Sequence, residues 1–212
     1  MKENYNNKMK EIIEKLKSSG KTPKLLLHSC CAPCSSHVIS TLTPYFDITI
    51  LYYNPNIEPK EEYEKRKQEE MRFISEYPKR NELDILDCDY DNELFHDMSK
   101  GLEMIPEGGK RCFKCYELRM RKTANIAKEK GFDYFATTLT VSPLKNSQKL
   151  NEIGAKLESE LNIPYLYSDF KKENGYKHSI ELAKEYNLYR QDYCGCIYSK
   201  RDRELKKNKS TF

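Results

Sequence analysis

The 212-residue sequence has no tryptophan, only eight glycines, and no apolar run near the ~20 residues that a membrane-crossing helix needs. The opening segment MKENYNNKMKEIIEKLKSSGK lacks the apolar stretch of a secretory signal, so the expected location is the cytoplasm, with no membrane partner. Charge of one sign is barely in surplus. The 37 Lys and Arg against 33 Asp and Glu leave +4, too little for the chain as a whole to declare a polyanion partner. Any nucleic-acid footprint is therefore local, and the candidates are the N-terminal segment and 200-KRDRELKKNK-209. No Pro/Gly/Ser linker and no internal repeat divides the chain. The expected organisation is an N-terminal helical extension (1–23), a single α/β catalytic domain (24–200) and a basic tail (201–212). Mean hydropathy is low, at −0.86, but the apolar residues are clustered. A chain of this length buries roughly 70% of its unfolded surface, enough for a real core.

Those apolar clusters alternate with longer amphipathic stretches. Strand-length runs fall at 24–28, 47–53, 83–88, 133–139 and 163–167, and helix-like segments at 36–42, 58–77, 112–130, 147–161 and 176–186. Alternation at this spacing predicts an α/β fold built on a mostly parallel sheet with helices on both faces. Ligands of such sheets bind beyond the carboxyl ends of the strands. The segments CCAPC, 54-NPNIEP-59, 137-TTLTVSP-143 and 169-DFKKENG-175 follow strands and should share one edge.

What the sequence has in abundance is cysteine, eight in all. A reducing compartment disfavours structural disulfides and turns attention to metal ligation or redox chemistry. Three groups stand out: Cys30, Cys31 and Cys34; Cys112 and Cys115; Cys194 and Cys196. Cys88 stands alone as a small strand residue. The i, i+3 spacing of Cys112 and Cys115 puts both sulfurs on one face of a first helical turn, where unpaired N–H groups favour thiolate. Four thiolates suit tetrahedral zinc or an iron–sulfur cluster. Adjacent cysteines point in different directions, which suits a multi-iron cube better than one ion. The expected ligands of a [4Fe–4S] cluster are therefore Cys30, Cys31, Cys112 and Cys115, with zinc as the alternative. Cys194-Gly195-Cys196 either chelates one metal or closes a strained disulfide. His28 and His37 flank the first group as iron ligands or proton shuttles, or as ordinary structural residues. Asp169 reads as a turn residue.

Taken together, 28-HSCCAPCS-35, 54-NPNIEP-59, 111-RCFKCYELR-119, 137-TTLTVSPLKN-146, 169-DFKK-172 and 188-LYRQDYCGCIYSK-200 resemble the QueH family of epoxyqueuosine reductases, in order, from about residue 24 to 200. The resemblance implies a Rossmann-like sheet related to the adenine nucleotide alpha-hydrolase (HUP) superfamily. The glycine loop with which ATP-using relatives bind phosphate is replaced here by CCAPC, which argues against ATP use. It further implies reduction of the epoxide of epoxyqueuosine to the alkene of queuosine at the wobble position of tRNAs for Asp, Asn, His and Tyr. That step removes an oxygen and consumes two electrons and two protons, so an electron donor is also implied.

On the same basis Cys30, Cys31, Cys112 and Cys115 are the cluster ligands. Cys194 and Cys196 form a redox-active disulfide or bind a second, mononuclear iron, to which Cys34 adds a ligand. An everted wobble base calls for stacking rings and phosphate contacts. Tyr52, Tyr53, Tyr116, Tyr193, Tyr198, Arg111, Arg119, Lys145, Lys171, Lys172 and Arg190 lie near the site loops, Arg190 and Tyr193 foremost because they adjoin CGC. Two other classes compete: a zinc-stabilised RNA-binding protein, and a thiol–disulfide oxidoreductase working through CGC alone.

Overall fold

Three consecutive leucines, Leu25, Leu26 and Leu27, are wholly inaccessible to solvent. A strand achieves this only when both faces of its sheet are covered, because successive side chains point to opposite sides. The computed structural model describes residues 3–209, so residues 1–2 of the expected N-terminal extension and 210–212 of the basic tail lie outside the described residues. The chain runs α1 (Tyr5–Ser19), β1 (Lys24–His28), α2 (Ala32–Leu42), β2 (Asp47–Leu51), α3 (Lys60–Glu76), β3 (Leu83–Leu86), α4 (Asn92–Ser99), α5 (Lys110–Glu129), β4 (Tyr134–Thr137), α6 (Ser147–Leu161), α7 (Gly175–Glu185) and α8 (Ile197–Lys209). No helix among the described residues is long and apolar enough to cross a membrane.

The four strands are parallel in the order β3-β2-β1-β4. Leu26 at the centre of β1 stands opposite Thr49 of β2 and Phe135 of β4. Leu25 and Leu27 pack on one side with Met9 and Ile13 of α1, Val38 and Leu42 of α2, Phe73 of α3 and Ala183 of α7. Leu26 and Phe135 pack on the other with Met120 and Ala124 of α5 and Leu150 and Leu157 of α6. Each such leucine contributes about 1.5–3 kcal/mol by leaving water. The result is the expected α/β architecture.

The expected strand at 163–167 contributes a single bridge, Tyr165 to Phe135. Pro164 accepts from the Phe135 amide at 3.0 Å but has no amide of its own to donate. Further on, β4 gives way to the 3-10 turn Thr138–Val141, so the ladder has nothing to extend along.

Helix ends follow local chemistry. The Asn4 side chain caps α1 by accepting from the Asn7 amide at 3.3 Å, and the Asn146 side chain caps α6 from the Lys149 amide at 3.0 Å. The α2 helix begins with Cys31 in the N-cap position and Pro33 in its first turn, where a missing N–H costs nothing.

Candidate active site

The sheet order reverses at β1. From β1 the chain steps outward through β2 to β3, then returns to place β4 on β1's other flank. Loops leaving β1 and β4 therefore diverge and open a crevice at their carboxyl ends. CCAPC leaves β1 into that crevice and becomes the first turn of α2, the Cys34 amide donating to the Cys31 carbonyl at 3.0 Å. The sulfurs of Cys30, Cys31 and Cys34 lie within 4.8 Å of one another, and those of Cys30 and Cys31 are 3.8 Å apart.

A second group of thiols faces the same crevice. Cys112 and Cys115 occupy the first turns of α5, the Gly108 amide donating to Cys112 Sγ at 3.3 Å. Cys196 sits at the start of α8, and its sulfur accepts from the Ser199 amide at 3.4 Å, the role a serine plays in a conventional N-cap. Cys30, Cys34 and Cys194 line an open cavity of about 320 Å³, while Cys112, Cys115, Cys194 and Cys196 line a narrow one beside it. Cys194 and Lys145 are common to both walls. Three helix N-termini, those of α2, α5 and α8, thus bring their partial positive charge to one cluster of sulfur, which favours anionic thiolate.

Buried cations reinforce that field. Arg119 is 1% exposed, donates through Nε to the Cys115 carbonyl at 3.2 Å, and leaves Nη2 without a partner. Burial works against its charge, and the sulfurs of Cys115, Cys194 and Cys30, once anionic, favour it. Burial likewise opposes the Lys145 ammonium, and Cys194, Cys30 and Cys34 keep it charged. Hydrogen bonds from the Cys31 and Cys34 thiols hold Cys30 well below the ordinary thiol range, while the same contact to Cys30 pushes Cys31 up to about 12. Burial pushes Cys115 up to about 12. Most of these thiols are thus neutral until a metal displaces their protons.

The loop bearing Cys194 is held by residues of α3 and of NPNIEP. Arg66, also 1% exposed, donates to the Cys194 carbonyl at 3.2 Å and to Glu62 at 2.7 Å. The Tyr193 hydroxyl donates to the Glu58 carbonyl at 3.0 Å. Gly195 has φ +124°, and a Cβ there would lie 2.8 Å from Ile57 Cγ1 and 3.1 Å from Arg66 Nη1. Glycine in CGC is required by both the backbone angle and the space.

Several residues chosen for RNA contact have other work. Tyr52, Tyr53, Tyr116 and Tyr198 are buried, as are Arg111 and Arg119. Arg111 donates to the carbonyls of Leu102, Glu103 and Ile105 and lies 4.3 Å from the Tyr198 ring centre. It knits the 102–105 turn to α8. Lys171 donates to the Lys145 carbonyl at 3.0 Å and so supports the lysine loop, while Lys172 is exposed. Arg190 and Tyr193 do line the open cavity.

His28 is structural: its Nε2–H donates to the Tyr53 carbonyl at 3.1 Å and its Nδ1 accepts from Thr137 Oγ1 at 3.0 Å. Burial and the nearby Arg119 lower its pKa to about 3, so it stays neutral. His37 pairs with His178 at 3.0 Å, and Asp169 accepts from Ser147 at 3.1 Å. Cys88 lines neither cavity. All eight cysteines are free thiols, Cys194 and Cys196 included.

Arg66, Glu70 and Tyr176 are not singled out by the sequence, whereas Arg203 lies in the basic stretch 200–209 that is. The first two sit mid-helix in α3, within the highly charged 60-KEEYEKRKQEE-70; only tertiary packing shows that both are buried.

Thiolates around one tetrahedral ion sit about 3.8 Å apart for a ~2.3 Å metal–sulfur bond, the spacing of Cys30 and Cys31. A four-iron cube takes one thiolate at each of its separated corners, which the two walls of the crevice offer. The unpartnered Nη2 of Arg119 also fits a resident anionic metal–thiolate group, since a buried cation without an anion is costly.

The sequence model of the family described as "Epoxyqueuosine reductase QueH" matches residues 25–202. A protein of that name from Staphylococcus epidermidis is 43% identical over 200 residues, 92% of this chain and 84% of the relative. One from Streptococcus pyogenes serotype M1 is 43% identical over 198 residues, 92% and 78%. One from Thermotoga maritima is 32% identical over 185 residues, 86% and 93%. A solved structure described as a predicted subunit of tRNA methyltransferase, from Methanocaldococcus jannaschii, superposes with a TM-score of 0.48 at 14% identity, over 76% of this chain and 74% of that one. With the family pattern matched from the first strand to the thiols at the start of α8, this chain belongs to the QueH epoxyqueuosine reductases.

Proposed function

We propose that the chain reduces the epoxide of epoxyqueuosine to the alkene of queuosine in tRNA, an oxidoreductase reaction, with Cys30, Cys31, Cys112 and Cys115 holding a [4Fe–4S] cluster. Cys194 and Cys196, with Cys34, form the adjoining site, as ligands of a second iron or as a dithiol that closes a reversible disulfide. The observation that carries the reading is that six thiols line two adjoining cavities, with the Cys31 sulfur within 4.8 Å of those of Cys30 and Cys34, beside three helix N-termini, Arg119 and Lys145. When bound, the cluster supplies electrons one at a time, drawn from an external donor.

The chain's own residues do the rest. The open cavity receives the modified base beside Cys34 and Cys194. Lys145, partly buried and shared by both cavities, presents an ammonium to the leaving oxygen, where negative charge grows as the C–O bond breaks. Arg66 and Gly195 fix Cys194 against the crevice. Cys31 and Cys115 are closed to bulk water, which strengthens each of these interactions.

The catalytic unit is residues 24–200, working in the cytoplasm on the tRNAs for Asp, Asn, His and Tyr. The α1 helix packs on it through Met9 and Ile13, and α8 carries the basic stretch onward from CGC. The test is anaerobic incubation of reconstituted protein with epoxyqueuosine-bearing tRNA and a chemical reductant. Queuosine in the digested RNA is expected, and its absence above a protein-free control overturns the reading. A zinc-stabilised RNA-binding protein would be colourless and inert in the same assay.

A further inference from the structure

Residues 200–209 hold six basic and two acidic side chains, so this one segment carries the chain's entire formal surplus of +4. Everything before it is balanced. The segment is also ordered as part of α8, whose first turn carries the Cys196 cap. Ser199, Asp202, Arg203 and Lys206 line the open cavity at the helical spacing i, i+3, i+4, i+7. One face of α8 therefore runs out of the cavity mouth, with Arg203 and Lys206 on it and the exposed Lys200 beside them.

Across the mouth stands Arg190, exposed, and the rings of Tyr176, 40% exposed, and Tyr193 also line the cavity. Glu107, Asp192 and Asp202 supply counter-charge along the same lining. Asp192 lies 3.5 Å from Arg203 and 2.7 Å from Lys207, both in solvent-exposed pairs of the kind that contribute little and that salt screens. A phosphate can take these cations over without leaving a buried charge behind.

We infer that α8 is a rail for the phosphate backbone of an RNA strand, holding through Lys200, Arg203 and Lys206 the nucleotides that flank the base entering the cavity. The inference rests on the reading above that the substrate is a modified tRNA, and it assigns that substrate a surface. Cationic side chains one helical turn apart, about 5.4 Å, give affinity without reading sequence. Tyr176 and Tyr193 at the mouth give a flipped base faces to stack on. The rail and the chemistry thus share one element: α8 begins at the thiols and ends at the phosphates.

The test uses the reconstituted protein and a synthetic anticodon stem-loop RNA, with binding measured across a salt series. A triple variant, Lys200→Gln, Arg203→Gln and Lys206→Gln, is compared with wild type and with a control of equal charge change far from the mouth, Lys21→Gln, Lys79→Gln and Lys130→Gln. Visible absorption and circular dichroism confirm that each retains its metal group and fold. The rail variant is expected to bind at least ~10-fold more weakly, with a log–log salt slope shallower by about 2 to 3, and the control to match wild type.

Equal weakening in both variants, or wild-type affinity and slope in the rail variant, overturns the rail while leaving the functional reading intact. Failure of wild type to bind any RNA overturns both. Binding to anionic lipid vesicles instead of RNA marks α8 as a membrane-surface element and overturns the rail.

Discussion

The Glu58 amide donates a hydrogen bond of 2.9 Å to the Gly195 carbonyl, tying the CGC loop to the NPNIEP loop some 137 residues earlier. Two cysteines owe their position to that tie, to Arg66 and to the space left by a missing side chain. Gly195→Ala puts a methyl group against Ile57 and Arg66 at φ +124°, a strain of about 1–3 kcal/mol. Turnover is expected to fall at least ~10-fold while the absorption of the metal group persists, because Cys30, Cys31, Cys112 and Cys115 lie on other elements. Wild-type turnover would mean that the placement of Cys194 and Cys196 is immaterial.

Much of this arrangement is legible in the sequence. The apolar-rich run Lys24 to His28 and its spacing to the next strands give the sheet, and the helices over Ser147–Leu161 and Gly175–Glu185 fall within a residue of the expected bounds. The cysteine groups announce themselves because thiols are rare and cluster. What stays hidden is what depends on packing. Arg66, Arg111 and Arg119 look like surface cations in charged helices, and only the fold reveals that they are 1% exposed and turned toward carbonyls and thiols. Tyr52 and Tyr53 look like stacking rings at a strand end, but they lie beneath the site because α3 and the 90–92 segment close over them. The segment 163–167 has a strand's composition and lacks only a partner long enough to pair with.

Lys145→Met removes the ammonium and keeps most of the side chain's bulk. The expected loss is ~10²–10³-fold in kcat with KM changed only a few-fold, since charge on the leaving oxygen develops in the transition state. Rate measurements at matched iron content check this. An effect confined to KM would make Lys145 a substrate-binding group only.

Arg119→Met takes away a buried cation held among Cys115, Cys194 and Cys30. Removal of such a supporting charge is expected to weaken metal retention ~10–100-fold, read as faster loss of visible absorption to a chelator under anaerobic conditions. Retention equal to wild type would show that the thiolates need no counter-charge.

Glu70 is wholly buried in α3, and burial raises its pKa from the usual 4.5 to about 8 against the opposing pull of the Ser35 and Ser29 hydroxyls. Between those two values the unfolded chain has released the proton that the folded chain still holds, so this group costs stability progressively as pH rises from 4.5 to about 8. Glu70→Gln should therefore match wild type near pH 4.5 and exceed it by roughly 1–3 kcal/mol above pH 8. Denaturant midpoints across that range check the sign. A variant less stable than wild type at high pH would place a favourable partner on the carboxylate.

Whether the thiols gathered at the β1–β4 crevice hold the metal group that reduces the epoxide is tested most directly by following wild type and Cys30→Ser side by side under anaerobic reconstitution. Iron, inorganic sulfide and the nucleosides of digested epoxyqueuosine tRNA are quantified from the same preparations. Iron and sulfide with conversion to queuosine are expected for wild type, and loss of both metal and conversion for Cys30→Ser. Normal epoxide reduction by Cys30→Ser, or a fully loaded wild type that forms no queuosine, would contradict that reading.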